Sequence, residues 1–226
     1  MVVDVLLPAL NEEEALPLVL AEIPWSEVRR AVVVDNGSTD RTAAVALGAG
    51  AEVVHQPERG YGAACLRGLE HLAQDPPDVV AFLDADHSDY PADLGLLLEP
   101  IRERGVDLVV GSRTRGHRQR GALTPQQIVG NAIACRGLRL FYGARYTDLG
   151  PFRAIRWSSL VGLGMADRTY GWTIEMQIKA AKLGLRTEEV PVRYRPRIGT
   201  SKVSGTLRGT LGASRKILGA FVRYAG

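Results

Sequence analysis

The sequence is poor in cysteine, aromatics and lysine, and it has no long apolar run. The two cysteines, Cys65 and Cys135, have no metal-ligand spacing and are consistent with a reducing compartment, nothing more. Nowhere do about 18 apolar residues follow one another, so no segment reads as membrane-spanning. Met1 runs directly into an apolar strand without a basic n-region or a cleavage site, so no secretory signal is expected. The expectation is a cytoplasmic protein, soluble or peripheral on the cytoplasmic face of a membrane. GxGxxG is missing after the first strand, which disfavours a dinucleotide cofactor, and the absence of GxxxxGK[ST] argues against a P-loop. Acidic and basic residues nearly balance, at a formal net charge of +3, and no nucleic-acid partner is expected. Only four of the 28 basic residues are lysine. The arginines thicken from Arg102 onward, and arginine suits bidentate recognition of phosphate and carboxylate, so the second half is the better place to seek an anionic ligand.

What is present is enough for one sizeable core. With 226 residues, 46% of them hydrophobic, the chain reads as a single α/β domain. It is organised around Val79 to Pro91, where five apolar residues suggest a strand buried on both faces, followed by Asp84, Ala85, Asp86, His87, Ser88 and Asp89. Open α/β sheets bind ligands at the carboxyl ends of their strands. Asp84 and Asp86, one residue apart, can both reach one hard divalent cation, Mg²⁺ or Mn²⁺, if the chain bends there. The alternative is that Asp84, Asp86 and Asp89 only make turns and helix caps.

The first half reads as a βαβ series. Strands are expected over Val2–Leu7, Ala31–Val34, Glu52–His55 and Val79–Leu83, with helices from Pro17 to about Ile23, Asp40 to Leu47 and Ala63 to about Ala73. Right-handed crossovers then give a largely parallel sheet. Asn11, Glu12 and Glu13 follow the first strand, where they contact a ligand or complement a helix dipole. Asp35 ends the second strand beside the Asn36-Gly37 turn, placed to accept hydrogen bonds from a ribose or base edge; Ser38 or Thr39 would cap the next helix. Gly60 and Gly62 flank Tyr61 and either admit a ligand close to the backbone or ease a tight helix entry. Pro8 to Glu12, Asp35, Gly60 to Gly62 and Asp84/Asp86 should therefore gather at one edge of the sheet.

Pro-Ala-Leu-Asn-Glu-Glu at Pro8 to Glu13, Val-Asp-Asn-Gly-Ser-Thr-Asp at Val34 to Asp40 and Asp-Ala-Asp at Asp84 to Asp86, in this order and at these intervals, resemble the family 2 glycosyltransferases of GT-A fold. Within that family the sequence is most similar to the branch of dolichol-phosphate mannose synthases and polyprenyl-phosphate glycosyltransferases. The resemblance implies a Rossmann-like, mostly parallel sheet flanked by helices. It also implies a nucleotide-sugar donor held by Pro8, Leu10, Asn11, Glu12, Asp35, Gly60, Tyr61, Gly62, Asp84, Ala85 and Asp86. In that picture Asp35 lies near the base, Asp84 and Asp86 near the diphosphate, and Asp86 is the principal ligand of Mg²⁺ or Mn²⁺. Residues 1–110 then form the donor half, 111–204 the acceptor half and 205–226 a basic tail, with inversion at the anomeric carbon.

In the second half a strand is expected over Asp107–Val110. It leads into Gly111, Ser112 and Arg113, with Arg115, His117, Arg118 and Arg120 behind. By the resemblance Arg113 contacts a phosphate. Thr124, Pro125 and Gln127 spell a capping box, and that helix should end near Gly143. Asp148 sits in an element that resembles the family's acceptor-side segment, though Pro151 interrupts the pattern, and it either orients the acceptor or makes a turn hydrogen bond. Glu175 follows Gly171-Trp172 and is placed near the active site by the resemblance; by spacing alone it pairs with Lys179 on the surface. After a strand over Glu189–Tyr194 a basic loop with Arg195, Arg197 and Lys202 can wrap a phosphate. Thr206 to Tyr224 reads as a basic amphipathic helix that packs on the domain or lies on a membrane. A lipid-phosphate acceptor would be anionic already and need positioning only; a hydroxyl acceptor would need Asp148 or Glu175 as base.

Overall fold

The computed structural model describes residues 1–199 together with Gly219 and Phe221. Lys202 and nearly all of the expected tail helix lie outside the described residues. Seven strands form one sheet: β1 (Val3–Ala9), β2 (Arg30–Asp35), β3 (Glu52–His55), β4 (Val79–Phe82), β5 (Leu108–Ser112), β6 (Arg153–Arg156) and β7 (Thr187–Pro191). Their order is β3-β2-β1-β4-β6-β5-β7. β6 alone runs against its neighbours, antiparallel to both β4 and β5, while β7 lies parallel to β5. The carboxyl ends of the other six strands and the amino end of β6 therefore meet at one edge.

Period-two alternation decides which helices cover which face. Val3, Val5, Leu7 and Ala9 of β1 belong to one core, with Leu16, Val19 and Leu20 of α1 (Leu16–Ala21), Ala46 of α2 (Thr42–Gly48) and Leu94, Leu97 and Leu98 of α4 (Leu94–Arg104). Leu6 points the other way and joins Val80 and Phe82 of β4 in a second core. That core is closed by α3 (Tyr61–Leu72), α5 (Pro125–Tyr142), α6 (Trp157–Leu163) and α7 (Trp172–Lys182). A fully buried leucine such as Leu6 contributes roughly 1.5–3 kcal/mol over its exposed state. A methyl group on Gly68 of α3 would overlap its Cδ1, so the helix approaches the sheet only because that position is glycine.

Several local expectations shift. Thr124 and Gln127 do form the capping box of α5, and Gly143 ends that helix in the left-handed region at φ 67°. Ser38 and Thr39 cap nothing: α2 starts at Thr42 without a side-chain cap, and both residues are taken by Asn11 across the loop. Glu12 and Glu13 do not serve the α1 dipole; their carboxylates meet Arg197 and Arg41. The last strand sits earlier than expected, ending at Pro191, because Tyr194 instead bridges to Asp89 and Arg118. Neither β6 nor α6 is foreshadowed by the sequence pattern. Among the described residues no helix is long and apolar enough to cross a membrane.

Candidate active site

Four loops after parallel strands build a cavity of about 510 Å³ at the shared edge. The β1 and β2 loops are stitched together first. Asn11, held at a left-handed φ of 53°, donates its backbone N–H to Ser38 Oγ and accepts from the Thr39 N–H, and the Glu12 N–H donates to Thr42 Oγ1. Asp35 is turned inward to its own loop, where its carboxylate accepts from the Ser38 N–H and lies 3.2 Å from His55 Nδ1. Its neighbour Asn36 faces the cavity and fastens the β3 loop through Gln56, Glu58 and the Gly60 N–H.

Gly60 and Gly62 have their reason inside the protein. A Cβ on either would overlap the carbonyl oxygens of Arg168 and Asp167, and Gly60 sits at φ 150°. The glycines let the segment before α7 lie across the start of α3, where the N–H groups of Gly62 and Ala63 donate to Thr169 and Arg168. Glu175 holds that segment from behind. Rather than a surface pair, it is a buried carboxylate that accepts from the N–H groups of Ala166 and Asp167 while meeting Lys179 Nζ at 2.8 Å. Thr169 and Tyr170, which no sequence pattern singled out, consequently reach the cavity wall.

The acidic loop after β4 forms the cavity floor. Asp84, Ala85 and Asp86 line it, along with Pro8, Leu10, Glu12, Gly60 and Tyr61. Asp84 accepts a hydrogen bond from the Tyr61 hydroxyl at 3.3 Å. Withdrawal from water, and then the charge of Asp86, push the Asp84 carboxyl up to about 7. Asp86 Oδ1 accepts from Ser88 N–H and Oγ, and its Oδ2 lies 3.1 Å from Arg197 Nη1. Behind them Asp89 is 1% exposed, and neither of its carboxylate oxygens has a well-formed hydrogen bond. Burial, followed by Asp84 and Asp86, raises its pKa well above the carboxylate range.

Asp84, Asp86 and Asp89 crowd one another in this cluster. Its donors are hard oxygens, which is the chemistry Mg²⁺ and Mn²⁺ prefer. Among the described residues no three His, Cys, Asp or Glu side chains converge in metal-holding geometry. Asp84 and Asp86 would thus supply two ligands and leave the remaining positions to water or phosphate.

Arginines surround the floor in three different ways. Arg197 lines the cavity and bridges Glu12, at 2.7 Å, to Asp86. Arg195 does not line it: the guanidinium braces the acidic loop from outside, on Glu22 and the carbonyls of His87 and Asp89, over the Tyr90 ring. Arg113 is held by Asp148 through Nε at 2.9 Å, Nη2 at 2.7 Å and its backbone N–H. Burial works against the Arg113 cation, and the hydrogen bonds and charge of Asp148 more than offset it. Asp148, fully buried, is oriented in turn by Glu189, which accepts its N–H.

The profile of the family described as Glycosyl transferase family 2 matches residues 4–177. The chain belongs to this family. Among its relatives, an uncharacterized glycosyltransferase of Mycobacterium tuberculosis is 44% identical over 211 residues, 92% of this chain and 93% of the relative. The undecaprenyl-phosphate mannosyltransferase of Micrococcus luteus is 33% identical over 220 residues, 90% of this chain and 88% of that one. A crystal structure of glucosyl-3-phosphoglycerate synthase from Mycobacterium tuberculosis, in complex with Mn²⁺, UDP-glucose and phosphoglyceric acid, superposes with a TM-score of 0.78 at 26% identity. It covers 100% of this chain and 80% of that one. As a family 2 member the chain is a glycosyltransferase, and the mostly parallel sheet expected from the sequence is its GT-A scaffold.

Proposed function

We propose that this glycosyltransferase moves a hexose from a UDP- or GDP-linked donor to a polyprenyl phosphate in a reaction dependent on Mg²⁺ or Mn²⁺, with inversion at the anomeric carbon. The observation that carries the acceptor class is the state of the two carboxylates placed to serve as a general base. Asp148 is gripped by Arg113, and Glu175 is buried under the backbone N–H groups of Ala166 and Asp167. A hydroxyl acceptor needs a base in the transition state, whereas a phosphate monoester is anionic at neutral pH and needs only orientation. The acceptor oxygen attacks the anomeric carbon, and the bond to the nucleoside diphosphate breaks with its electron pair leaving on the β-phosphate. A divalent cation held by Asp84 and Asp86 would neutralise that charge. Arg197 stands beside the same position, and Tyr61 orients Asp84. We assign the donor to the cavity that Pro8, Leu10, Glu12, Asn36, Gly60 and Tyr61 line. Asn11, Asp35 and Gly62 shape its loops, Arg113 and Lys202 serve the acceptor side, and Arg195, expected there as well, instead braces the acidic loop from outside.

A second reading, transfer to a soluble phosphorylated acceptor, is favoured by the likeness to glucosyl-3-phosphoglycerate synthase. One assay separates the two. Purified protein is incubated with UDP-glucose or GDP-mannose, Mn²⁺ or EDTA, and either undecaprenyl phosphate in detergent or 3-phosphoglycerate. Lipid-linked sugar formed only with metal, and abolished in a folded Asp84→Ala variant, supports the proposal. Product on phosphoglycerate alone replaces it with the second reading, and full activity of Asp84→Ala removes the metal assignment.

A further inference from the structure

We propose that Glu22 is a positioning residue for donor binding: from the end of α1, outside the cavity, its carboxylate fixes Asp86 and Arg197 relative to one another. This rests on the reading of Asp84, Asp86 and Arg197 as the groups that meet the donor diphosphate. Among the described residues, Asn11 and His87 are the only non-glycines at a positive φ, and both lie in loops of the cavity. His87, at φ 63°, directly follows Asp86 in a conformation that residues with a Cβ seldom adopt, so contacts elsewhere must offset it. Its side chain is no part of the cavity lining. It reaches Glu22 instead, with Nε2 2.9 Å from Oε1. An ionised carboxylate only accepts, so Nε2 carries the hydrogen. The turn at His87 lets Asp86 Oδ1 accept from the Ser88 N–H and hydroxyl, and Oδ2 is left to Arg197.

The second oxygen of Glu22 holds the other party. Oε2 accepts from Arg195 Nη2 at 2.7 Å, and Arg195 Nε donates to the His87 carbonyl at 2.6 Å. Backbone bonds continue the contact, from the Arg195 N–H to the Ser88 carbonyl and from the Ile198 N–H to the Asp86 carbonyl. Residues 195–198 thus lie along 86–88, and Arg197, between those two bonds, turns its guanidinium to Asp86 and Glu12. One carboxylate therefore clasps the acidic loop to the segment that brings the cation.

Exposed ion pairs contribute little. Here the His87 and Arg195 side chains are only 14% and 15% exposed, so loss of Glu22 would strand a mostly buried donor beside Asp86. Groups that orient a metal ligand from behind govern affinity by about 10–100-fold.

The test is titration calorimetry of the full-length protein with UDP and GDP, each in Mn²⁺ and in EDTA. Glu22→Ala should weaken the nucleotide that wild type prefers by about tenfold or more in Mn²⁺. Glu22→Gln should stay within about threefold of wild type, because its carbonyl can accept from Arg195 while its amide donates to the opposite tautomer of His87. Glu27→Ala removes another half-buried carboxylate, the partner of Arg102 at 2.7 Å, and should leave affinity unchanged. A merely structural contact would lower the melting temperature and leave the affinity of the folded protein untouched. Glu22→Ala combined with His87→Ala should cost no more than the larger single loss, since both cut one contact. Wild-type affinity in Glu22→Ala overturns the inference, as do losses that simply add in the double variant. Should Glu22→Ala not fold, Arg195→Gln cuts the clasp from its other side and decides by the same measure. Equal nucleotide affinity of wild type in Mn²⁺ and EDTA refutes the metal reading alone, and a Glu22→Ala loss that persists in EDTA then still supports the clasp through Arg197. Metal-dependent binding that Glu22→Ala leaves intact refutes the clasp alone.

Discussion

Arg197 and Asp86 face each other across the cavity floor at 3.1 Å, with the other arm of the same guanidinium on Glu12 at 2.7 Å. The arginine occupies the electrostatic position in which a divalent cation would be most strongly held. A divalent cation at Asp86 would compete with the guanidinium, so a ligand able to draw Arg197 away would favour metal binding, and a nucleoside diphosphate has the charge to do so. In Arg197→Gln, Mn²⁺ alone should bind about fivefold or more tightly, while UDP or GDP binds about tenfold more weakly, a difference of about 1.4 kcal/mol. Titration calorimetry of each ligand separately measures both. Unchanged Mn²⁺ affinity would mean that the two cations do not share Asp86.

A metal ion held by Asp84 would compete with a proton there. Its carboxyl is pushed from an ordinary 3.8 up to about 7, chiefly by burial and then by Asp86, so the folded protein binds this proton more tightly than the unfolded chain does. The resulting stability is complete below the unfolded value and is lost as pH rises through about 7. In EDTA the melting temperature of wild type should therefore fall, relative to Asp84→Asn, as pH is raised between about 5 and 8. Parallel curves for the two proteins would show that Asp84 titrates normally.

The Arg113–Asp148 pair, with side chains 12% and 0% exposed, should be expensive to break from one side. Asp148→Ala leaves a buried guanidinium uncompensated and should cost about 3–5 kcal/mol in urea unfolding. Removing both charges in Arg113→Met/Asp148→Leu should recover most of it. If the single variant costs less than about 1 kcal/mol, the site is wetter than its burial implies.

Gly62 and Gly68 separate stability from binding. An added methyl at either overpacks α3, with an expected loss of about 1–3 kcal/mol. At Gly62 the overlap is with the Asp167 carbonyl, in the segment that carries Thr169 and Tyr170 to the cavity wall, whereas at Gly68 it is with the Leu6 side chain. Gly62→Ala should weaken nucleotide binding about tenfold or more, and Gly68→Ala should leave it unchanged. Thermal shift with UDP and GDP measures both effects in one experiment, and equal nucleotide shifts for the two variants would detach the 166–169 segment from donor binding.

Much of this was legible in the chain because the relevant signals are local. β1, β2 and β4 are short, mostly apolar runs, and the capping box of α5 spans only the four residues Thr124 to Gln127. The carboxylates after β4 stand out by their place at the end of a buried strand, although their spacing alone also fits turns and helix caps. What the sequence hid depends on contacts between residues far apart. β6 reads Arg-Ala-Ile-Arg, which looks like surface, yet Arg153 is fully buried because its guanidinium donates to the carbonyls of Leu149, Gly150 and Thr173. Glu175 and Lys179 have surface-pair spacing, but the carboxylate is consumed by a backbone segment eight or nine positions earlier. Arg197 carries the cation across the cavity, and nothing in its neighbourhood distinguishes it from Arg195, which braces the outside. Asn36 carries a weak signal of its own, since a side chain that must turn one loop and hold another is often Asn.

The reversed strand β6 gives the molecule a seam. Phe82, the last residue of β4, is the register partner of Arg153, the first residue of β6, so the chain between them leaves and re-enters the sheet about one strand spacing, roughly 4.8 Å, apart. Residues 83–152 are thus a closed excursion, and it contains the acidic loop, α5 and the partners Arg113 and Asp148. Its own strand β5 returns to the sheet between β6 and β7, so the excursion is tied to the framework in its middle as well as at its ends. The cavity is shared in consequence: Asp84, Ala85 and Asp86 come from the excursion, while Pro8, Leu10, Asn36 and Gly60 come from the β3-β2-β1-β4 side.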